Sequence, residues 1–215
     1  MKRIFFYFSI CLIALFLLSG CTLKKDNSTQ IGDESNKTEI VRTKIDIDSN
    51  QEDNSTKDKK PVESELANFS TPLKSGVANR ITNIKLTCDK INGRVLKNGE
   101  SFSFNEIVGP CTAEEGYKKA EIYVNKKISF ALGGGNCQVS TTLYNTAIAV
   151  PGIEITERHE HNGRPVDYIE DGKDATVSYN TLDLKFTNNT GTDIKLYTWC
   201  DDVNVCAKIS KINYE

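Results

Sequence analysis

The residue of this sequence whose setting best suits covalent chemistry is Cys137. It follows three consecutive glycines, Gly133, Gly134 and Gly135, and opens a segment with helical hydrophobic spacing. Glycines permit positive φ angles and let a ligand approach the backbone closely. A helix N-terminus presents unpaired N–H groups and positive dipole, which lower the pKa of a thiol and favour the nucleophilic thiolate. The N–H groups of Cys137 and Gly135 could also receive the oxyanion of a tetrahedral intermediate.

The alternative for this thiol is a buried small hydrophobe, which is what most free cysteines are. A reactive cysteine usually needs a general base, and the two histidines of the chain, His159 and His161, both lie downstream between Glu157 and Asn162. A histidine that follows the cysteine helix, at the end of a strand, is the order used by papain-like hydrolases. An isolated surface pair of histidines is the competing interpretation.

Other residue types around these groups also suit such a site. Asp174 could orient a histidine, although an aspartate shortly after a glycine is typical of a turn. Gln138 could donate to the same oxyanion or cap the helix. A zinc site at His159 and His161 would lack a third ligand at suitable spacing, so we expect no metal and no cofactor.

The elements that must position these residues follow from the hydrophobic pattern. Helical spacing runs from Ile81 to Val95 and again from Val139 to Val150. Strand-like segments lie at Ser101–Phe104, Ile122–Phe130, Ile153–Arg158, Pro165–Tyr168, Ala175–Tyr179, Leu182–Phe186, Ile194–Trp199 and Val203–Ile209. This order predicts an α+β fold in which two main helices pack on a mostly antiparallel, multi-stranded sheet.

The N-terminus predicts export. Lys2 and Arg3 precede an apolar run from Ile4 to Leu18, and the run ends in Ser19-Gly20-Cys21, which resembles a bacterial lipoprotein signal. The run is shorter than the roughly 20 apolar residues that a membrane span needs. We expect cleavage to leave Cys21 as the lipid-bearing first residue, which anchors the protein to the outer face of the cytoplasmic membrane.

The chain then divides into three parts. Residues 1–20 are the predicted signal peptide, and residues 21–68 are a predicted disordered tether, because few aliphatic residues and no aromatic ones occur between Leu23 and Leu66. Residues 69–215 are the predicted folded domain. The formal net charge is −2, with no basic block outside the extreme N-terminus, so nucleic acid is not an expected partner.

The cysteine count supports an unpaired Cys137. Of seven cysteines, Cys11 leaves with the signal and Cys21 takes the lipid, so an odd number of five remains in a compartment that permits disulfides. We expect a hairpin disulfide between Cys200 and Cys206 and a second between Cys88 and Cys111. Other pairings stay open.

These residues form a pattern that resembles the VanW family, over about residues 69–188. The matching stretches are Phe69-Ser70-Thr71, Asn83-Ile84, Ile91-Asn92-Gly93, Phe102-Ser103-Phe104-Asn105, Gly109-Pro110, Gly116-Tyr117, Gly133-Gly134-Gly135-Asn136-Cys137-Gln138-Val139-Ser140-Thr141-Thr142-Leu143-Tyr144-Asn145, Glu157-Arg158-His159-Glu160-His161 and Asp174-Ala175-Thr176-Val177.

Some VanW proteins are regarded as cysteine L,D-transpeptidases, which make 3-3 cross-links in peptidoglycan. The resemblance implies that Cys137 is the nucleophile and His161 the preferred base. It further implies that peptidoglycan stem peptides contact the Gly133–Gly135 loop, Gln138, Ser140 and Arg158. Two other functions are compatible with the same residues: a non-catalytic module that binds the cell wall or a glycopeptide, and a cysteine amidase or peptidase of the wall.

Overall fold

The structure, a computed structural model, describes residues 60–73, 77–124, 127–161 and 166–214. The predicted signal peptide, Cys21 and most of the predicted tether lie outside these residues, as does Pro165. All described residues belong to one compact unit. Within the described ranges, no helix has the length and apolar character needed to cross a bilayer.

Helices form at the two places where helical spacing predicts them. They are α1 (Ala78–Ile91) and α3 (Asn136–Ile148), and the short helix α2 (Phe104–Val108) lies between them. One face of α1 is buried, and its residues recur every three or four positions, as the amphipathic pattern requires. Helix α3 begins directly after Gly135, whose φ of 119° is favourable for glycine.

Nine strands form three antiparallel sheets among the described residues. The strands are β1 (Pro61–Pro72), β2 (Val95–Leu96), β3 (Ser101–Ser103), β4 (Lys119–Val124), β5 (Lys127–Leu132), β6 (Ile153–Glu157), β7 (Lys185–Asn188), β8 (Asp193–Cys200) and β9 (Asn204–Tyr214). The sheet orders are β1-β9-β8-β2, β3-β7-β6 and β4-β5. The predicted α+β class, with helices on mostly antiparallel strands, is confirmed.

The core lies where α1 and α3 cover the four-stranded sheet. Helix α3 contacts β1 and β9, and α1 contacts β8. The three-stranded sheet adds to the same core through Phe102 on β3 and Phe186 on β7, whose rings stack with centroids 4.6 Å apart. The start of α3, which carries Cys137, is therefore held by well-packed elements on several sides.

Some predicted strands take other forms. The segment Ile122–Phe130 is a hairpin of β4 and β5. Phe104 starts α2, because the Ser103 hydroxyl accepts a hydrogen bond from the Glu106 N–H and so caps a helix. Val95 belongs to β2 and not to the first helix.

Two further predicted strands are loops in the described residues. Tyr168 lies in a turn, and Ala175–Tyr179 is irregular except for a bridge between Ser178 and Leu182. Leu182 itself precedes β7. Apolar residues of these loops, such as Tyr168 and Ala175, are buried in the core. The alternation of apolar with polar residues in these loops resembles that of a strand, so the sequence pattern alone does not separate the two.

The predicted boundary between tether and domain at residue 69 is wrong. Strand β1 begins at Pro61 and pairs with β9 along its length, from Pro61 opposite Tyr214 to Pro72 opposite Asn204. Most of its first half is exposed, which is why it looks like tether in composition. An edge strand needs little apolar area when its backbone completes a sheet.

Neither predicted disulfide is formed, since Cys88, Cys111, Cys200 and Cys206 are all free thiols. In the β8–β9 hairpin, Cys200 lies opposite Val205 and Cys206 opposite Trp199. Successive residues of a strand point to opposite faces, so the two thiols point away from each other.

Cys88 and Cys111 have different surroundings as well. The Thr198 hydroxyl donates to the Cys88 carbonyl, which places that part of α1 against β8. The Cys111 sulfur instead accepts a hydrogen bond from the Asn136 amide at 3.0 Å. The two cysteines of the predicted Cys88–Cys111 disulfide therefore have different neighbours and do not pair with each other.

Candidate active site

The glycine loop is shaped by its protein neighbours. A Cβ atom at Gly133 would lie 2.8 Å from the Cys111 sulfur, one at Gly134 would lie 2.7 Å from the Glu121 carbonyl oxygen, and one at Gly135 would lie 2.7 Å from a side-chain carbon of Ile84. All three distances are shorter than real Cβ contacts. The missing side chains therefore let the loop pack tightly between α1 and β4.

Asn83 fixes this loop from α1. Its side-chain amide donates to the carbonyls of Gly134, at 3.0 Å, and Lys118, at 2.9 Å, and its oxygen accepts from the Lys118 N–H at 2.8 Å. Because Asn83 is fully buried, these bonds are sheltered from water. The start of α3 is consequently held in one position relative to α1.

Cys137 lies in the first turn of α3, where its side chain is only partly exposed. Its sulfur is 3.4 Å from the Thr176 hydroxyl and 3.5 Å from the Val177 carbonyl oxygen. The Asn136 N–H donates to the Gly133 carbonyl and the Gln138 N–H donates to the Gly135 carbonyl. Between them, the Cys137 N–H has no backbone acceptor among the described residues. That N–H is free to stabilise an anion beside the sulfur.

The structure brings Cys137, His161 and Asp174 together. The His161 imidazole lies close enough to the Cys137 thiol for each group to shift the pKa of the other. Its Nδ1 is 2.7 Å from a carboxylate oxygen of Asp174, and the same oxygen accepts from the His161 backbone N–H at 2.6 Å. Since Nδ1 faces the carboxylate, Nε2 is the nitrogen left for the thiol, and the three side chains have the order of a nucleophile, base and orienting group.

The electrostatics of the pair favour its ionised form. Burial raises the pKa of the Cys137 thiol, but the hydrogen bond and charge of His161, helped by Thr176 and Val177, outweigh it and hold that pKa below the ordinary value. For His161, burial lowers the pKa, whereas Cys137 and then Asp174 raise it, with a net increase. A thiolate beside an imidazolium is the arrangement that activates a cysteine near neutral pH.

The segment that carries Asp174 is anchored on both sides. The Thr141 hydroxyl on α3 accepts from the Ala175 N–H at 2.9 Å. Arg158 donates from Nε to the Asp174 carbonyl at 2.7 Å and from a terminal nitrogen to the Gly172 carbonyl at 2.8 Å. Its guanidinium also lies over the Tyr144 ring, at 5.0 Å from the centroid. Arg158, predicted to contact substrate, is thus engaged in holding the loop of Asp174.

Three other residues that were predicted for the site form hydrogen bonds elsewhere or are buried. His159 points its Nε2 to Glu157, at 2.9 Å, so the structure places only His161 against the thiol. The buried Gln138 amide donates to the Thr71 hydroxyl and the Pro72 carbonyl, which leaves it no donor for an oxyanion. Ser140 is fully buried inside α3, with its hydroxyl unpartnered.

Sequence reasoning missed three residues near the thiol: Arg80, Tyr168 and Thr176. Arg80 donates to the Gln138 oxygen at 2.9 Å. Burial and the charge of Cys137 raise the pKa of Tyr168, whose ring is almost buried. Arg80 lies one residue before the predicted helical segment that starts at Ile81, and Tyr168 and Thr176 lie on loops, so no periodic signal could mark them.

The site as a whole can do nucleophilic chemistry with its own side chains. Cys137 can attack, His161 can accept and return a proton, and Asp174 holds the imidazole in one tautomer. Among the described residues, no group of three or more His, Cys, Asp or Glu side chains is arranged to hold a metal ion.

Comparisons with known proteins agree with the pattern of residues. Residues 79–210 match the family described as VanW like protein. The uncharacterized protein YoaR of Bacillus subtilis strain 168 is 41% identical over 124 residues, which are 58% of this chain and 40% of that protein. The vancomycin B-type resistance protein VanW of Enterococcus faecalis strain V583 is 31% identical over 136 residues, which are 61% of this chain and 49% of that protein.

The aligned part of this chain therefore spans less than half the length of these relatives. No solved structure matches the chain significantly.

Proposed function

The chain belongs to the VanW-like family, and from this premise we propose that it modifies peptidoglycan at the cell surface as a cysteine L,D-transpeptidase. The name of its Enterococcus relative associates that protein with vancomycin resistance. The observation that carries the proposal is the Cys137–His161–Asp174 arrangement at the start of α3. A module that only binds the wall has no need of an ionised thiol.

In the proposed reaction, the Cys137 thiolate attacks the carbonyl carbon between the third and fourth residues of a donor stem peptide. A C–S bond forms, the C–N bond breaks, and His161 gives its proton to the departing D-alanine amine. The N–H of Cys137 stabilises the oxyanion. An amine from a neighbouring stem then attacks the thioester and gives a proton to His161. The C–S bond breaks, Cys137 leaves as the thiolate, and the new C–N bond is the 3-3 cross-link, so the energy of the broken peptide bond is conserved.

We also propose that the protein acts on the outer face of the cytoplasmic membrane through a lipid on Cys21. The support is the sequence from Leu18 to Cys21 after a short apolar run. A diacylglycerol-type anchor with more than one acyl chain holds a protein stably on a bilayer. Stem peptides of the inner wall would lie within its reach.

The experiment is incubation of the full-length chain with disaccharide tetrapeptides, followed by mass spectrometry. We expect D-alanine release, an acyl adduct on Cys137 and cross-linked dimers. Cys137→Ser should abolish all three, and Cys200→Ser is the matched control, because Cys200 is a partly exposed free thiol outside the site.

Other products identify the competing functions. Hydrolysed stems without dimers would assign the protein as a cysteine amidase or peptidase. Unchanged tetrapeptides that remain bound to the protein would overturn the catalytic proposal and favour a binding module.

A further inference from the structure

Arg80 is a cation beside the site with no carboxylate partner in the described part of the chain. One of its terminal nitrogens donates a hydrogen bond to the Gln138 side-chain oxygen at 2.9 Å. The side chain is partly buried. Arginine stays charged at any physiological pH and carries five N–H donors, most of which remain available here.

The position of Arg80 is set by the same loop that presents the nucleophile. Its Cγ lies 3.4 Å from where a Cβ of Gly135 would be, so the side chain packs on the start of α3. Gln138, which it contacts, follows Cys137 directly. Tyr168 is also within electrostatic range of both Arg80 and Cys137. The guanidinium therefore lies at the start of α3, in contact with the residue that follows the nucleophile.

The buried Gln138 explains how this cation is oriented. Both amide hydrogens of Gln138 are committed, one to Thr71 and one to the Pro72 carbonyl, so its oxygen has a fixed direction. That oxygen holds one nitrogen of Arg80. An arginine that is held at one nitrogen and unpaired elsewhere is prepared to bind a planar anion through its other donors.

We propose that Arg80 binds the free carboxylate of the amino acid that leaves, so that the site selects peptides ending one residue after the attacked bond. This inference rests on the proposed function. It defines the substrate class as stem peptides with a free C-terminal carboxylate at the fourth residue, and it separates them from amidated or longer peptides.

The test compares two donors that differ only at the C-terminus, a stem tetrapeptide acid and its carboxamide, using the full-length chain. For the wild type we expect kcat/KM for the acid to exceed that for the amide by about 10- to 100-fold, the usual effect of a hydrogen-bonded charge. Arg80→Gln should lose this preference through a higher KM for the acid, and should treat the amide as the wild type does. Arg80→Lys should restore part of the preference.

Arg94→Gln is the control, because Arg94 lies beyond α1, where its Nε donates to the Lys90 carbonyl. Alkylation of Cys137 by iodoacetamide should be equal in the wild type and in Arg80→Gln. The inference is overturned if Arg80→Gln keeps the preference, or if it slows both donors equally. If the wild type acts on neither donor, the proposed function fails instead.

Discussion

Two histidines separated by one residue have different surroundings in this protein. His161 lies between the thiol and a buried carboxylate, whereas His159 meets the half-buried Glu157. Glu157 also receives Lys185, and the hydrogen bonds from Lys185 and then His159 lower its pKa to about 2. The two imidazoles therefore belong to separate hydrogen-bond networks in the loop that follows β6.

This difference predicts opposite effects of two matched substitutions. In His161→Ala, burial still raises the pKa of the Cys137 thiol, but the hydrogen bond and charge that lower it are gone. The thiolate then forms at higher pH, so we expect alkylation at pH 7 to slow by about tenfold or more, since each pKa unit changes the thiolate fraction tenfold. His159→Ala should leave the profile unchanged. The measurement is the iodoacetamide rate from pH 5 to 10, and equal profiles would contradict the assignment of His161.

Residue types were enough to predict part of the candidate site. The rest depends on where side chains point, which the sequence does not show. A cysteine after three glycines and a histidine pair downstream were enough to select Cys137 and the two histidines, and the family resemblance favoured His161 over His159. The sequence could not show that the donors of Gln138 and Arg158 are used by the protein itself, because that depends on β1 and on the loop at Gly172. Arg80 was missed for the same reason, since it comes to the site through helix packing.

At the scale of elements, the glycine loop connects β5 to α3 and packs closely against β4. Gly134→Ala would bring its Cβ within 2.7 Å of the Glu121 carbonyl oxygen and 2.9 Å of the Ala120 backbone. We expect a loss of about 1–3 kcal/mol in the free energy of unfolding, as for other overpacked sites, and slower alkylation of Cys137, because the start of α3 must shift.

Gly99→Ala is the control for that prediction. Gly99 has a φ of +84° with open space around it, so alanine costs only the left-handed conformation, about 1–2 kcal/mol. Alkylation of Cys137 should not change. Urea unfolding and thiol kinetics measure the two effects, and unchanged alkylation in Gly134→Ala would show that the loop does not position the thiol.

The two main helices and the regularly alternating strands could be predicted from the sequence, whereas the loops and the exposed edge strand could not. Both main helices follow the 3.6-residue spacing, and β6 and β8 follow the alternation closely. The hairpin β4–β5, the irregular path from Ala175 and the strand character of Pro61–Asn68 depend on tertiary neighbours. The disulfide prediction failed at this scale too, because sequence spacing does not give the register of a hairpin.

At the scale of the molecule, β1 links a segment without hydrophobic character to the core sheet. A chain that starts at Phe69 lacks the pairs from Pro61–Tyr214 to Asn68–Lys208 and exposes the edge of β9. We expect its Tm to fall by several degrees relative to a chain that starts at Lys60. Thermal unfolding followed by circular dichroism measures the difference, and light scattering should show more aggregation. Equal Tm values would mean that this half of β1 adds nothing to stability.

The direction of β1 has a geometric consequence for access to the wall. Its Pro72 end contacts Gln138 beside the thiol, while its Pro61 end pairs with Tyr214. Twelve residues of strand separate these ends by about 35 Å. Pro61 and Tyr214 thus lie at the end of the β1–β9 pair that is farther from Gln138. A surface, resin or fusion partner attached at either of these residues would leave the nucleophile facing outward.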